Sequence, residues 1–179
     1  MWDAPSIVLI TGIMAAGKST VAELLARRLP RSAHLRGDVF RRMVVGGRAE
    51  MTADPSPEAW RQLRLRHQLT ASTADAYAGA GFTVVCQDVI LGAELPAMVD
   101  RIRRRPLAVV VLAPRPEVVA AREAGRAKQG YGEWSVAELD AGFRADTPRI
   151  GLWLDTSDQT PEQTVTEILT RAWSAGRIG

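Results

Sequence analysis

The chain has 179 residues, of which 46% are hydrophobic and 24% charged, and its formal net charge is +3. This length suits one domain over 1–179 with a full core, and no apolar run approaches the roughly 20 residues that a membrane span needs. The first residues lack the pattern of a secretory signal, and the single cysteine, Cys86, excludes an internal disulfide, so we expect a cytoplasmic protein without membrane contact.

The first predicted elements enclose a nucleotide-binding motif. An apolar run at 6–11 predicts a buried strand, and 18–29 has the composition of a helix. Between them, Gly12–Ser19 matches the pattern G-x-x-x-x-G-K-[ST] at every fixed position. Strand, loop and helix in this order are the context that the motif requires. The sequence therefore predicts a loop that binds the phosphates of a nucleoside triphosphate.

The spacing within this loop has a physical reason. Glycines permit a tight turn whose backbone N–H groups point at an anion, and the following helix adds the positive end of its dipole. We expect Lys18 to neutralise phosphate charge and the Ser19 hydroxyl to hold Mg²⁺. The predicted nucleotide-binding residues are Gly12, Ile13, Met14, Ala15, Ala16, Gly17, Lys18, Ser19 and Thr20.

A carboxylate follows the second predicted strand. That strand lies near 33–35, and Asp38 opens a predicted helix over 38–45. An acid beyond the end of a parallel strand is placed to accept a proton from a hydroxyl that attacks a γ-phosphate. Asp38 also suits a helix N-cap, and the two roles are compatible. Arg41 lies on the same helix face and is a candidate for binding the acceptor, with a surface role as its alternative.

The next elements contain further candidate substrate residues. After a loop over 46–57 and a long helix over 57–80, a strand over 82–87 ends at Asp88. We expect 38–70 to bind the acceptor and Trp60 to line its pocket, although tryptophans are more commonly core residues. Asp88 matches the Walker-B position, which makes it a candidate ligand of Mg²⁺ or of the substrate; loop capping is its alternative role.

A pair of arginines follows the fourth predicted strand. Beyond a helix over 93–103 and the strand over 107–112, a helix over 117–127 carries Arg122 and Arg126 four residues apart on one face. We expect a lid around 122–134 whose arginines neutralise charge on the transferring phosphoryl group and help to exclude water. A surface helix is the alternative.

The remaining elements complete an alternating pattern. A helix over 135–144, a strand over 152–155 and a helix over 161–175 follow, with Ser135 and Thr160 as expected N-caps. Strands without regular alternation, separated by helices, indicate a parallel sheet covered on both faces. The predicted fold is α/β, a three-layer α/β/α sandwich around five parallel strands, with ligands at the carboxyl ends of the strands.

These motifs together resemble those of the small P-loop kinases, most closely the chloramphenicol phosphotransferase-like branch. The matching parts are Gly12–Ser19, Asp38, Cys86–Gly92, Arg122 and Arg126. The resemblance implies ATP and Mg²⁺ as ligands, Lys18 and Ser19 on phosphate and metal, and Asp38 as the catalytic base. Residues 38–41 are also similar to the D-x-x-R pattern of polynucleotide 5′-kinases, and 155–157 to tunicamycin-resistance proteins.

The function predicted is an ATP-dependent phosphotransferase that acts on a hydroxyl of a small molecule, with antibiotics among the candidate acceptors. One alternative is a polynucleotide or nucleotide kinase, whose binding should weaken steeply with salt. Another is a nucleotide-binding switch or resistance protein that transfers no phosphate. The composition favours neither a nucleic-acid partner nor a particular oligomeric state.

Overall fold

The computed structural model describes residues 2, 4–125 and 135–179. Within these ranges, the strands are β1 (Ile7–Thr11), β2 (Ser32–Arg36), β3 (Thr83–Gln87), β4 (Leu107–Leu112), β5 (Leu152–Leu154) and β6 (Arg177–Ile178). The helices are α1 (Lys18–Arg28), α2 (Asp38–Arg42), α3 (Pro57–Gly79), α4 (Glu94–Arg101), α5 (Pro116–Ala124), α6 (Val136–Asp146) and α7 (Pro161–Ala175).

Five strands form a parallel sheet in the order β2-β3-β1-β4-β5. In the register, Leu9 of β1 lies opposite Cys86 of β3 on one side and Val109 of β4 on the other. Every residue of β1, β3 and β4 is buried, because their apolar runs are covered by helices on both faces. The predicted α/β fold with a central parallel sheet is confirmed.

The helices form a layer on each face of the sheet. Helices α1 and α7 pack against each other, and α3 packs against α4. Both α1 and α3 contact β2 and β3, which they cover from opposite sides. The carboxyl ends of the parallel strands β1, β2 and β3 therefore lie side by side between the two helix layers, and the loops that follow these strands converge there. Among the described helices, none is long and apolar enough to cross a bilayer.

The structure departs from the predicted elements mainly near element ends. A sixth strand, β6, runs antiparallel to β4 and was not predicted, since two residues after a helix carry too little pattern to indicate a strand. Helix α2 ends at Arg42 rather than at 45, and α5 ends at Ala124 rather than at 127. The expected N-caps are confirmed: Ser135 and Thr160 each form a capping box at the start of their helices.

Candidate active site

The loop Gly12–Ser19 connects the end of β1 to the start of α1. Two of its glycines are required by the backbone, because Gly12 has φ +143° and Gly17 has φ +94°. A Cβ atom at Gly12 would also overlap the carbonyl oxygen of Leu112 on the neighbouring strand β4. The loop is therefore tight and packs directly against the carboxyl end of strand β4.

A substitution at Gly12 tests this packing. Gly12→Ala should lower the free energy of unfolding by about 2 kcal/mol, because alanine is strained at this φ and its methyl group meets the Leu112 carbonyl. Gly46→Ala is the matched control, since a Cβ there meets nothing within 4 Å. Urea unfolding followed by circular dichroism measures both variants. Equal urea midpoints of unfolding for the two variants would contradict the close packing of Gly12 against the Leu112 carbonyl.

Lys18 begins α1 and is buried. Its ammonium group donates a hydrogen bond of 2.7 Å to the carbonyl oxygen of Ile13, so the side chain folds back over the loop. A lysine in this position sits among the backbone amides that surround a bound phosphate in loops of this sequence pattern. Lys18 as the ligand of a nucleotide phosphate stays a prediction.

The Ser19 hydroxyl contacts Gln87 rather than Asp88. The Gln87 side-chain amide donates to Ser19 Oγ at 3.3 Å. Successive residues of a strand point to opposite faces of the sheet, so Gln87 faces α1 while Asp88 faces α3. This alternation explains why the acid predicted for the Walker-B position does not reach Ser19. The assignment of Asp88 as a metal ligand stays a prediction, and its contacts lie elsewhere.

Asp88 is held by a partly buried arginine that the sequence interpretation did not single out. Arg66 of α3 donates from Nε to Asp88 Oδ2 at 2.5 Å and pairs through Nη2 with Oδ1. The backbone N–H of Val89 donates to Oδ1 at 2.7 Å. Gly37 leaves room for this carboxylate, since a Cβ there would overlap it. Asp88 is 4% exposed, so its carboxylate is almost fully removed from water, while the Arg66 side chain keeps 15% exposure.

Asp38 lies beside this pair at the start of α2. Arg42 pairs with Asp38 at 2.9 Å, and Arg41 lies 3.6 Å from the same carboxylate. Arg41 also donates from Nε to Glu50 at 3.1 Å, and this hydrogen bond lowers the pKa of Glu50. Burial lowers the pKa of Arg66 to about 10, while the charge of Asp38 opposes that shift. Asp38, Arg41 and Arg66 thus form one electrostatic cluster.

The start of α2, which carries Asp38, is connected through strand β3 to the strand that leads into the phosphate-binding loop. The Gly37 N–H donates to the Gln87 carbonyl oxygen at 3.0 Å, which fixes the start of α2 to the end of β3. Strand β3 pairs directly with β1, whose end leads into the loop. The structure therefore brings Asp38, Asp88 and the loop Gly12–Ser19 to the carboxyl ends of neighbouring parallel strands, and their roles there stay predictions.

Arg122 lies on the other side of the loop. Its Nη2 donates to the carbonyl oxygen of Thr156 at 3.0 Å, and its Nη1 lies 3.9 Å from where a Cβ on Gly17 would be. Arg122 thus bridges the phosphate-binding loop and the segment after β5. Arg126 and 126–134, the main part of the predicted lid, lie outside the described residues, so the lid stays a prediction.

A cavity of about 520 Å³ opens between α3, the start of α4 and α6. Trp60 and Arg64 of α3 form one wall with Glu94 at the start of α4, and α6 forms the opposite wall. Residues 91–94 of its lining come shortly after Asp88 in the chain. Its volume is within the range of small-molecule sites. Trp60 lines this cavity, as a pocket residue would, and its role in binding an acceptor stays a prediction.

A buried histidine, His67, contacts Glu94, one of the residues that line the cavity. His67 is fully buried and its Nδ1 lies 3.2 Å from Oε2 of Glu94. Burial lowers the pKa of His67 to about 4, although the hydrogen bond to Glu94 opposes that shift. His67 is therefore neutral at physiological pH. Separately, no group of three or more His, Cys, Asp or Glu side chains among the described residues could hold a metal ion.

The pKa of His67 predicts how stability depends on pH. The folded protein takes up this proton only near pH 4, whereas the unfolded chain does so near pH 6.5. Between these values the unfolded state binds more protons, so stability should fall as the pH drops, by up to about 3 kcal/mol at the lower end. Urea unfolding near pH 7 and near pH 5 measures the slope. His67→Gln should show a flatter slope, and identical slopes would contradict this origin.

Fold and loop together define the class of protein: this is a P-loop protein with a kinase-like α/β fold. The chain belongs to the AAA domain family, whose profile matches residues 7–145. No protein of curated function shows significant sequence similarity to it.

Three solved structures share the fold over nearly their whole length. A sugar kinase from Janibacter sp. HTCC2649 is 21% identical and has a TM-score of 0.67, with 92% of each chain covered. The APS kinase of Mycobacterium tuberculosis, in complex with AMPPNP and APS, is 19% identical with a TM-score of 0.67, covering 93% of this chain and 96% of that one. The tunicamycin resistance protein of Deinococcus radiodurans is 16% identical with a TM-score of 0.64, covering 97% and 98%. These likenesses bear on the fold, and they do not single out the chloramphenicol phosphotransferase-like branch.

Proposed function

We propose that the protein is an ATP-dependent phosphotransferase that moves the γ-phosphoryl group of ATP to a hydroxyl of a small molecule. One observation carries the proposal: a complete phosphate-binding loop and the carboxylate of Asp38 both lie at the carboxyl ends of the neighbouring parallel strands β1, β2 and β3. The sugar kinase and APS kinase among the similar structures are consistent with such chemistry.

Each group has a defined task in this reaction. The loop amides, Lys18 and the start of α1 bind the phosphates. Asp38 orients the acceptor hydroxyl and takes its proton as the new O–P bond forms and the bond between the γ-phosphorus and the ADP oxygen breaks. Arg122, together with Arg126 of the predicted lid, stabilises charge on the transferring group. Most of the rate acceleration comes from positioning and electrostatics.

Ser19 is the side chain that fits a metal ion beside the phosphates, with Gln87 as its hydrogen-bond partner. Mg²⁺ prefers oxygen ligands and keeps several waters when it binds a nucleotide, so the Ser19 hydroxyl is a suitable ligand, and the Gln87 amide N–H that donates to it would hold it in position. When bound, Mg²⁺ neutralises phosphate charge. Asp88, paired with Arg66, is better placed to contact the acceptor than the metal.

This assignment predicts different effects for neighbouring residues. Ser19→Ala and Gln87→Ala should each weaken Mg²⁺-dependent AMPPNP binding by about tenfold, because the first removes the oxygen ligand and the second removes the amide that positions it. Asp88→Asn should leave that affinity within about twofold, since the carboxylate faces α3. Isothermal titration with and without Mg²⁺ measures the three variants. A loss with Asp88→Asn alone would restore Asp88 as the metal ligand.

An ADP-release assay tests the proposed function. The panel contains sugars, nucleosides, antibiotics and 5′-hydroxyl oligonucleotides, with an acceptor-free reaction as background. We expect at least one small-molecule acceptor to raise ADP release, with a phosphorylated product of matching mass. Lys18→Ala should remove the signal. ADP release at full rate without acceptor would indicate a simple NTPase, and nucleotide binding without release above background would indicate a switch or sequestering protein.

A further inference from the structure

A second cavity, here called the amino-end cavity, lies where the central strands begin. It has a volume of about 240 Å³ and is lined by residues 5–7 at the start of β1, by the end of α3 and the turn before β3, and by residues 104–106 before β4. The loop Gly12–Ser19 follows the other end of β1, which is five residues long. At about 3.3 Å per residue, roughly 16 Å separate the two ends of this strand, so the amino-end cavity is distinct from the nucleotide site.

The charged side chains of the amino-end cavity are positive. Arg104 and Arg105 line it, and no carboxylate does so among the described residues. Within 4–125 and 135–179, neither guanidinium group forms an ion pair, and that of Arg104 forms no hydrogen bond either. Arg105 donates from Nη1 to the carbonyl oxygens of Ile102 and Arg104, at 2.6 and 3.1 Å, which leaves its Nε and Nη2 as donors. The cavity therefore presents guanidinium donors without a described counter-charge.

The backbone that carries these arginines is fixed by Asp75 of α3. Its carboxylate accepts hydrogen bonds from the backbone N–H groups of Arg103, at 3.1 and 3.2 Å, and of Arg104, at 2.9 Å. Asp75 thus orders the loop through backbone groups rather than through a guanidinium. On the α3 side, Gly79 leaves space for the Arg104 side chain, since a Cβ there would be 2.8 Å from Nη2. The Arg104 guanidinium therefore lies against the end of α3, beside the cavity.

A buried hydroxyl in the same lining lacks a partner. Ser6 is 1% exposed, and its Oγ has no hydrogen-bond partner among the described residues. The Ser6 backbone is satisfied separately, because its carbonyl oxygen accepts from the N–H of Val84 at 2.8 Å. An unpaired buried hydroxyl costs free energy, and a bound group with an acceptor oxygen would remove that cost. Since the hydroxyl can donate as the guanidinium groups do, both observations point to an oxygen-rich anion.

We infer that the amino-end cavity binds a phosphate group, as inorganic phosphate or at the end of a small phosphomonoester. Guanidinium groups bind phosphate oxygens through paired N–H donors, and a tetrahedral anion can accept from Arg104, Arg105 and Ser6 together. A planar carboxylate offers only two oxygens to the same donors. The cavity is smaller than the sites of drug-sized ligands, which favours a small anion. The inference does not depend on the proposed function, because the two sites lie at opposite ends of the strands.

The backbone amide resonances of glycines can localise phosphate, because each site has its own pair of glycines. A ¹H–¹⁵N NMR titration follows Gly79 and Gly81 at the amino-end cavity, and Gly12 and Gly17 in the phosphate-binding loop. Inorganic phosphate is added to protein saturated with AMPPNP and Mg²⁺ and, in parallel, to the variant Lys18→Ala, so that the second arm is informative even if AMPPNP does not bind. We expect the Gly79 and Gly81 resonances to move and to saturate at millimolar phosphate in both arms, while those of Gly12 and Gly17 stay in place when AMPPNP is bound.

Further ligands separate the chemistry of the anion from its source. Glycerol and acetate should bind at least about tenfold more weakly than phosphate, because they offer fewer charge-assisted hydrogen bonds. Tighter binding of glycerol 3-phosphate than of phosphate would identify an ester as the ligand, and weaker binding would identify the free anion. A single-stranded oligonucleotide represents the competing class. If it moves the same resonances at lower concentration than phosphate, with a steep dependence on salt, the arginines form an extended basic surface and the inference is wrong.

Three variants assign the binding to named side chains. Arg104→Gln should weaken phosphate binding by about tenfold and Ser6→Ala by about threefold, the effects of losing a charged and a neutral hydrogen bond. Arg61→Gln, which removes an exposed arginine near the opposite end of α3, should retain the original affinity. Circular dichroism and urea unfolding check that each variant is folded. Gly79 and Gly81 resonances that do not move with phosphate, unchanged affinity in Arg104→Gln, or equal binding of acetate would overturn the inference.

Discussion

Asp38→Asn should reduce phosphoryl transfer by about 10²–10⁴-fold while nucleotide affinity stays unchanged. The amide has nearly the same shape as the carboxylate but cannot take the acceptor proton. Asp38 lies at the start of α2, next to the end of β3, and contacts Arg41 and Arg42 rather than the phosphate-binding loop. The rate is measured as acceptor-dependent ADP release, and affinity by titration with AMPPNP and Mg²⁺.

A matched substitution separates loss of the base from loss of surface charge. Asp100→Asn changes an exposed acid on α4 and should retain full transfer. Unchanged turnover in Asp38→Asn would remove Asp38 from the chemistry. An equal loss of AMPPNP affinity and transfer would assign it to nucleotide binding instead.

Arg66→Met should be the most destabilising substitution near the site. It keeps most of the side-chain volume but leaves the Asp88 carboxylate, which is 4% exposed, without its guanidinium partner. Breaking a buried pair in this way costs about 3–5 kcal/mol in the free energy of unfolding. Urea unfolding near pH 7 measures the loss.

The double variant Arg66→Met with Asp88→Asn shows whether the unpaired charge is the cause. It should be more stable than Arg66→Met alone, because the buried carboxylate has been replaced by a neutral amide. A loss below about 1 kcal/mol for Arg66→Met, or a double variant no more stable than the single one, would show that the pair is effectively solvated.

The sequence alone predicted those features that are encoded by residues close together in the chain. The loop Gly12–Ser19 is encoded in eight consecutive residues, and the buried run of β4 identifies its strand to the residue. Ser135 and Thr160 were identified as N-caps because a cap and its partner are three residues apart. The α/β class follows from the alternation of such local elements.

The site required contacts between residues far apart in the chain. Arg66 and Asp88 are 22 residues apart, and Gln87 and Ser19 are 68 apart, so neither pair leaves a pattern in a single sequence. One signal was nevertheless available: Gln87 and Asp88 are adjacent at the end of a strand and must face opposite sides of the sheet. That alternation allows only one of them to face α1, although it does not say which.

The cavity could not be predicted for a similar reason. Its walls come from α3, the start of α4 and α6, and their apposition depends on how the helix layers pack. Trp60 was chosen from its place after Asp38, and it does line the cavity. Glu138 was recognised only as a capping-box residue, since nothing in the sequence shows that its carboxylate also borders a cavity.

A crystal structure with AMPPNP and Mg²⁺ tests the central claim most directly. We predict the triphosphate enclosed by Gly12–Ser19, the Lys18 ammonium in contact with phosphate oxygens, and the Asp38 carboxylate facing the terminal phosphorus from across the cleft. A loop without bound phosphates at saturating nucleotide, or an Asp38 carboxylate directed away from the terminal phosphate, would contradict it.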